Sequence, residues 1–283
     1  MTLLRYDPDE HAEDPRARGI LSVMMPVYNE EATLGLILDH VLARPEVGEV
    51  IAVDNGSTDR SGEILEECAA RDLRVRVIRV SPNRGKGGAI QRAITEISLP
   101  YAIVQDADLE YDPRDYARLL EPLLDGRADA VYGLRGFAGA TAYGFWFVIG
   151  NALVTNFCNI LNNCYIRDIE TAFKLLRSDL WKRLHIRSRG FTFDPEVTTK
   201  VVRLGYRIHE VPIDYYARSR AEGKKLTWQD GVIALAFLLW LRILPHRALF
   251  GRSPMDYHRQ RQADLATQHP LLSRRDQTQA ERR

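Results

Sequence analysis

Cysteine is scarce in this chain of 283 residues: three occur, Cys68, Cys158 and Cys164, at spacings unlike those of a metal site. A sparse, odd set argues against a disulfide scaffold and suits a reducing compartment. The seven histidines form no zinc-type spacing. Neither sign of charge dominates, since 39 basic residues face 38 acidic ones for a net +1. That balance gives no sign of a nucleic-acid partner or an acidic substrate. No Ser-His-Asp or Cys-His pattern offers a nucleophile, and no segment repeats. Long apolar runs are missing too. The longest, residues 232–241, falls well short of the roughly 20 residues that span a bilayer. Residues 1–18 are polar and carry no apolar signal core, so a secretory leader is not expected and a cytoplasmic location is.

What remains is a chain that is 45% hydrophobic, enough to bury one large core. Its first half alternates strand-like and helix-like runs. Strands are expected at 20–27, 50–53, 75–80, 101–104 and 130–132. Helices are expected at 31–43, 59–70, 88–97 and 113–124, the last opened by a proline where helices accept one. This order predicts an α/β fold with a mostly parallel sheet and helices on both faces. Ligands bind beyond the carboxyl ends of such strands. There the sequence has Tyr28-Asn29-Glu30, Asp54-Asn55-Gly56 and Asp106-Ala107-Asp108. The second half is less regular. Residues 140–161 read as an apolar, aromatic helix, 195–204 as a helix, 173–176 and 207–211 as strands, and 228–244 as an apolar helix.

Asp106 and Asp108 are the strongest local signal. Two carboxylates one residue apart after a buried strand can both reach a hard cation, Mg²⁺ or Mn²⁺, which bridges carboxylates to substrate phosphates. Glu110 offers a third oxygen. A bare pair of this kind also suits a solvated acidic loop. Asp54 can accept hydrogen bonds from a base or ribose, while Asp59 reads as the cap of the next helix. Asn83-Arg84-Gly85-Lys86-Gly87-Gly88 can approach a diphosphate through backbone N–H groups and Lys86, yet it has neither Walker nor dinucleotide spacing. It suits a flexible turn equally. Arg135, Arg218, Arg220, Lys224 and Lys225 can meet a phosphate or simply face water.

Taken in order, four segments resemble the family 2 glycosyltransferases of GT-A fold, in the branch of polyprenyl-phosphate sugar synthases such as dolichyl-phosphate mannose synthase. They are Met25-Pro26-Val27-Tyr28-Asn29-Glu30-Glu31, Val53-Asp54-Asn55-Gly56-Ser57-Thr58-Asp59, Asn83-Arg84-Gly85-Lys86-Gly87-Gly88-Ala89 and Gln105-Asp106-Ala107-Asp108-Leu109-Glu110. The resemblance spans about residues 20–225. It implies that Pro26, Tyr28, Glu30 and Asp54 hold the nucleotide, with Lys86 beside them. It implies that Asp106 and Asp108 hold a divalent metal and the diphosphate. Glu110 stands where the synthases carry glutamine. Arg135 falls where the family places an acceptor-phosphate arginine. Glu222-Gly223-Lys224-Lys225-Leu226 stands for the Gly-x-Ser-Lys-Leu closing loop, which brings in Arg218 and Lys225. Asp168-Ile169-Glu170-Thr171 departs from the family's Asp-x-x-Ser/Thr-Gly at Glu170. If the acceptor is a hydroxyl, Asp168 or Glu170 is the candidate base.

The expected organisation is then a disordered arm at 1–18, a GT-A domain at 19–226, an apolar helix at 227–250 and a disordered tail at 251–283. Thr227-Trp228-Gln229-Asp230 resembles a capping box. The helix it opens has basic flanks and suits a membrane interface, or equally a core or dimer contact. The expected function is inverting sugar transfer from a nucleotide diphosphate-sugar, of GDP-mannose or UDP-glucose type, to a polyprenyl phosphate on the inner membrane face. A soluble or polysaccharide hydroxyl acceptor, and nucleotide-sugar binding without turnover, are the alternatives.

Overall fold

The computed structural model describes residues 14–136, 145–217 and 228–250. Seven strands form one sheet: β1 (Leu21–Val27), β2 (Val47–Asp54), β3 (Val75–Arg79), β4 (Tyr101–Val104), β5 (Ala130–Arg135), β6 (Lys174–Arg177) and β7 (Ile208–Ile213). Their order is β3-β2-β1-β4-β6-β5-β7. All neighbouring pairs are parallel except those of β6, which runs against both β4 and β5. The expected mostly parallel α/β sheet is therefore present, with one reversed strand.

β1 lies inside the sheet, between β2 and β4, and is apolar along nearly its whole length, as a strand covered on both faces must be. Its residues divide between two cores. Val23, Met25 and Val27 join one cluster, while Met24 joins the other with Ile51 and Val53 of β2. Helices α1 (Leu34–Leu42), α2 (Ser61–Arg71), α3 (Gly85–Ile94) and α4 (Tyr116–Leu124) follow the early strands. α1 buries Leu34, Ile37, Leu38 and Val41, the one-face spacing of an amphipathic helix. The helix expected from residue 113 is a 3₁₀ turn at Pro113–Asp115, where the Asp112 carboxylate accepts from Arg114 N–H, before α4 begins.

The second half adds α5 (Phe145–Asn162), α6 (Ser178–Arg183), α7 (Phe193–Arg203), α8 (Trp228–Ile243) and α9 (His246–Phe250). The expectation that no run could cross a bilayer needs amendment. α5 is long and apolar enough by length and composition, and it is the one such helix among the described residues. α8 buries Ala234, Leu238 and Leu241 and leaves Val232, Ile233, Trp240 and Ile243 exposed. It is thus at once a core helix and an apolar surface. Arg203 on α7 donates to Leu241 O at 2.6 Å and Leu244 O at 3.2 Å. A cation there meets carbonyls that the last turn of α8 leaves without helical partners. Of the capping box, Thr227 lies outside the described residues.

Candidate functional site

A cleft of about 290 Å³ opens over the strand ends. Pro26, Tyr28, Glu30, Lys86, Asp106, Asp108, Glu110, Arg135 and Glu170 all line it, so most of the residues singled out from sequence come together. Three loops are laced to one another around it. Asn29 accepts from Thr58 N–H at 2.8 Å, and Glu31 accepts from Arg60 N–H at 3.0 Å. Thr33 donates to Ala107 O at 2.8 Å, tying the first loop to the acidic pair. Asp59 accepts from Ser61 N–H at 3.0 Å at the start of α2, close to the expected cap, and also from Glu31 N–H.

Asp54 is 8% exposed and does not line the cleft; it accepts from Ser57 N–H at 3.0 Å. Its neighbour Asn55 reaches the cleft wall but is itself only 3% exposed. Asn55 donates to Asn83 Oδ1 at 2.9 Å and Gly85 O at 3.1 Å, and accepts from Arg84 N–H at 2.9 Å. It fixes the glycine-rich loop by three hydrogen bonds. Asn55 lay inside a recognised motif, but the choice between adjacent polar residues depends on which one the strand end turns inward.

The glycines of that loop serve a contact the sequence did not reveal. A Cβ at Gly85 or Gly87 would stand 2.2 Å from Arg189 O or Ser188 O. The close approach is to the 188–190 backbone, which also takes the Gly88 N–H. That packing starts α3 at Gly85, three residues earlier than expected, and carries Gly190 and Phe191 into the cleft. Gly85 also has φ +74°, a conformation alanine resists. Gly85→Ala and Gly87→Ala are each expected to lose about 1–3 kcal/mol in chemical denaturation. Gly35→Ala in α1, where a Cβ meets nothing within 4 Å, should instead gain up to ~1 kcal/mol.

The acidic pair follows β4. Gln105, fully buried, accepts from Tyr116 OH and donates to Asp106 O at 3.0 Å, bracing the turn from below. Leu109 sits at φ +62°, a strained setting for a branched residue, and Asp108 accepts from Glu110 N–H at 3.2 Å. Lys86 Nζ donates to Asp106 Oδ2 at 2.7 Å. Burial alone would pull the Lys86 ammonium toward neutrality; Asp106, Asp194 and Asp108 outweigh it and hold the group charged. Two hard carboxylates fit a divalent cation that takes its other ligands from phosphate and water. Among the described residues no set of three or more His, Cys, Asp or Glu side chains forms a cage. The expectation of Glu110 as a third oxygen is not supported: Tyr215 OH donates to Glu110 Oε2 at 2.9 Å.

Arg135 ends β5 and lines the cleft, but two of its donors are committed. They meet Asp168 at 2.6 and 2.7 Å, and both side chains are buried, 4% and 0% exposed. Burial pushes the Asp168 carboxyl up, yet Arg135 wins, helped by Asn151 and Lys174, and holds it below the usual range. Asp168 does not line the cleft. Its geometry is that of a buried ion-pair partner, so its candidacy as a base is withdrawn.

Glu170 does line the cleft. Burial, then the neighbouring Asp194 charge, raises its carboxyl to about 7, against the pull of Lys174 and Arg135. Its loop is pinned by buried Lys174, whose ammonium donates to Ile169 O, Thr171 O and the Asp194 carboxylate. Asp194, Phe191, Phe147 and Tyr215 complete the walls. No motif marked them; they come from the irregular half and converge only through the fold. Arg218, Arg220, Lys224 and Lys225 lie outside the described residues.

Comparison with known proteins fits this geometry. The chain is 30% identical over 228 residues to the low-salt glycan biosynthesis hexosyltransferase of Haloferax volcanii, covering 77% of this chain and 53% of that one. The chain thus spans about half the length of that relative. Undecaprenyl-phosphate mannosyltransferase of Micrococcus luteus is 29% identical, covering 71% of this chain and 85% of that one. Among solved structures, glucosyl-3-phosphoglycerate synthase from Mycobacterium tuberculosis, crystallised with Mn²⁺, UDP and phosphoglyceric acid, superposes with a TM-score of 0.62 at 21% identity. It covers 81% of this chain and 80% of that one, and it shares the GT-A fold. The family model for glycosyl transferase family 2 matches residues 22–184, and this chain belongs to that family.

Proposed function

We propose that this protein transfers a sugar from a nucleotide diphosphate-sugar to a polyprenyl phosphate, with inversion at the anomeric carbon. The observation that carries the reading is the cleft itself. It combines Lys86, Asp106 and Asp108 with Arg135 and Glu170, and it adjoins two helices with apolar surfaces. Pro26, Tyr28, Glu30 and Asp54 hold the nucleotide, while Asn55 fixes the glycine-rich loop beside them. Asp106 and Asp108 hold Mg²⁺ or Mn²⁺, whose chemistry is to neutralise charge on a departing diphosphate. Lys86 supplies a cation on the same side. Arg135, oriented by Asp168, stabilises the acceptor phosphate. Arg218 and Lys225 are assigned to the closing loop by resemblance alone. An anionic acceptor needs little base catalysis, so positioning and charge stabilisation supply the rate. The exposed apolar residues of α5 and α8 favour a peripheral seat on the membrane face that bears the acceptor.

Glu170 favours a second reading, a sugar hydroxyl acceptor with Glu170 as general base, because a carboxyl near 7 suits proton transfer. The two readings predict opposite pH limbs. Glu170 is neutral below about 7. With a phosphate acceptor, raising the pH through that value adds a like charge, and the acceptor KM should rise by about fivefold, the worth of ~1 kcal/mol. Glu170→Gln should remove the rise. With a hydroxyl acceptor, kcat/KM should climb through the same window, and Glu170→Gln should abolish turnover.

The direct test incubates the protein with Mn²⁺ or Mg²⁺, a panel of UDP- and GDP-sugars, and a short polyprenyl phosphate. Nucleotide diphosphate release that needs both metal and lipid phosphate, with glycolipid seen by mass, supports the leading reading. Release without glycolipid redirects it to a soluble acceptor. Binding of donor with no release under any condition leaves a nucleotide-sugar-binding protein.

A further inference from the structure

The two cysteines at the end of α5 have no part in the chemistry of the cleft. Asn163, just past the helix, has φ +48°, and Cys164 N–H donates to Asn159 O at 3.2 Å. A left-handed residue, followed by an N–H that returns to the carbonyl five residues back, is a Schellman ending with asparagine in the place glycine usually takes. Such an ending sets the side chain after the left-handed residue against one from the last turns of the helix, commonly as an apolar contact. Here the residues so placed are Cys164 and Cys158.

The two thiols share a hydrogen bond. Each sulfur also has a polar neighbour that an apolar contact would not need. Asn162 Nδ2 donates to Cys158 Sγ at 3.4 Å, and Cys164 Sγ donates to Asn159 Oδ1 at 3.5 Å. Cys158 is buried, whereas Cys164 is partly open to solvent. The bond from Cys158 holds the Cys164 thiol below its ordinary range. The same bond, and then burial, pushes Cys158 up. One thiol is thus accessible and nucleophilic, and the other waits behind it. Cys68, the third cysteine, is buried in a different core cluster.

We infer that Cys158 and Cys164 form a reversible dithiol site that a small-molecule disulfide closes to an intramolecular disulfide. Cys164, as thiolate, attacks one sulfur of the oxidant; the oxidant's S–S bond breaks and one small thiol leaves with a proton from solvent. Cys158 then gives up its proton and attacks Cys164 Sγ in the mixed disulfide, and the second small thiol leaves. Two electrons pass from the pair to the oxidant. The site lies just ahead of Asp168, on a stretch that Asn159 holds at Ile166 N–H, 3.0 Å, and Ile166 O, 2.8 Å. Closure removes the S–H that Asn159 accepts, so it acts on the turn that leads to the partner of Arg135.

The test uses no substrate, so its outcome is independent of the transfer reading. The full chain is equilibrated with glutathione disulfide and glutathione at set ratios, quenched with iodoacetamide in denaturant and mapped by peptide mass. Cys158 and Cys164 should disappear together into one linked species, while Cys68 remains alkylated. The equilibrium constant for closure should be at least about tenfold larger in native buffer than in concentrated urea, because the folded turn holds the thiols together. That comparison needs only the wild type and stands whatever the variants do. Cys158→Ser should stop at glutathione bound to Cys164, and Cys164→Ser should leave Cys158 reduced. Linkage through Cys68, a closure constant no larger in the fold than in urea, or a Cys158→Ser protein that takes up no glutathione overturns the inference.

Discussion

Asp106→Asn should lower donor turnover by about 10²–10³-fold while leaving the fold intact. The side chain is part-exposed and the change is isosteric, so little packing is at stake. What is lost is one of two carboxylate charges at the turn after β4, together with the charged partner of Lys86. Both losses weaken the hold on charge that develops on the diphosphate. Asp108→Asn should have an effect of the same order. Glu110→Gln should stay within about threefold, ~0.6 kcal/mol, because its carboxylate is engaged by Tyr215 rather than joined to a cage. The measurement is nucleotide diphosphate release at saturating donor with Mn²⁺ present, before and after chelation. An Asp106→Asn protein as active as the wild type would remove the basis of the metal assignment.

Asp168→Ala should cost about 3–5 kcal/mol of stability, because it strands a buried guanidinium. For a domain of this size that lowers Tm by roughly 10 °C. Joint replacement, Arg135→Met with Asp168→Leu, should restore most of the loss, since two apolar residues leave no unpaired charge behind. The restored protein should still lack transfer, as Arg135 lines the cleft. The pH dependence has a definite sign. The folded Asp168 carboxyl lies below its ordinary value. Its contribution is therefore present in full above the unfolded value of 3.8 and lost as pH falls through the lower folded one. Thermal melts of the two variants, with wild type, from neutral to acid pH would show whether that acid limb disappears with Asp168.

The strands of the first half were legible because a parallel strand covered on both faces reads as an unbroken apolar run. β4 was found with its bounds intact, and the acidic pair after it was legible for the same reason. The direction of β6 was not. Reversing a strand changes neither its period nor its composition, and its partners lie far away in sequence. The role of Asp168 was misread for a related reason. An acidic residue near a presumed acceptor site looks like a base until a cation 33 residues away claims both of its oxygens. Glycine carried a second meaning. The loop of Gly85 and Gly87 was read as one that can approach a diphosphate or as a flexible turn; in the fold these glycines also admit a backbone segment a hundred residues later. Asp194 and Phe191 had no motif at all.

The reversed strand has a consequence for how the chain assembles. β1 to β4 pair among themselves, and every partner they need has been made by residue 104, save for the outer edge of β4. β5 has no such neighbour: its partners are β6 and β7, the last of which ends at Ile213. During synthesis the first half of the sheet can therefore settle first. β5 must wait with both edges unpaired for about forty residues until β6 has emerged, and with one edge unpaired for about eighty until β7 has. The interval exposes β4 and β5 to wrong partners, and it makes the second half the part of the molecule that most needs shelter while folding.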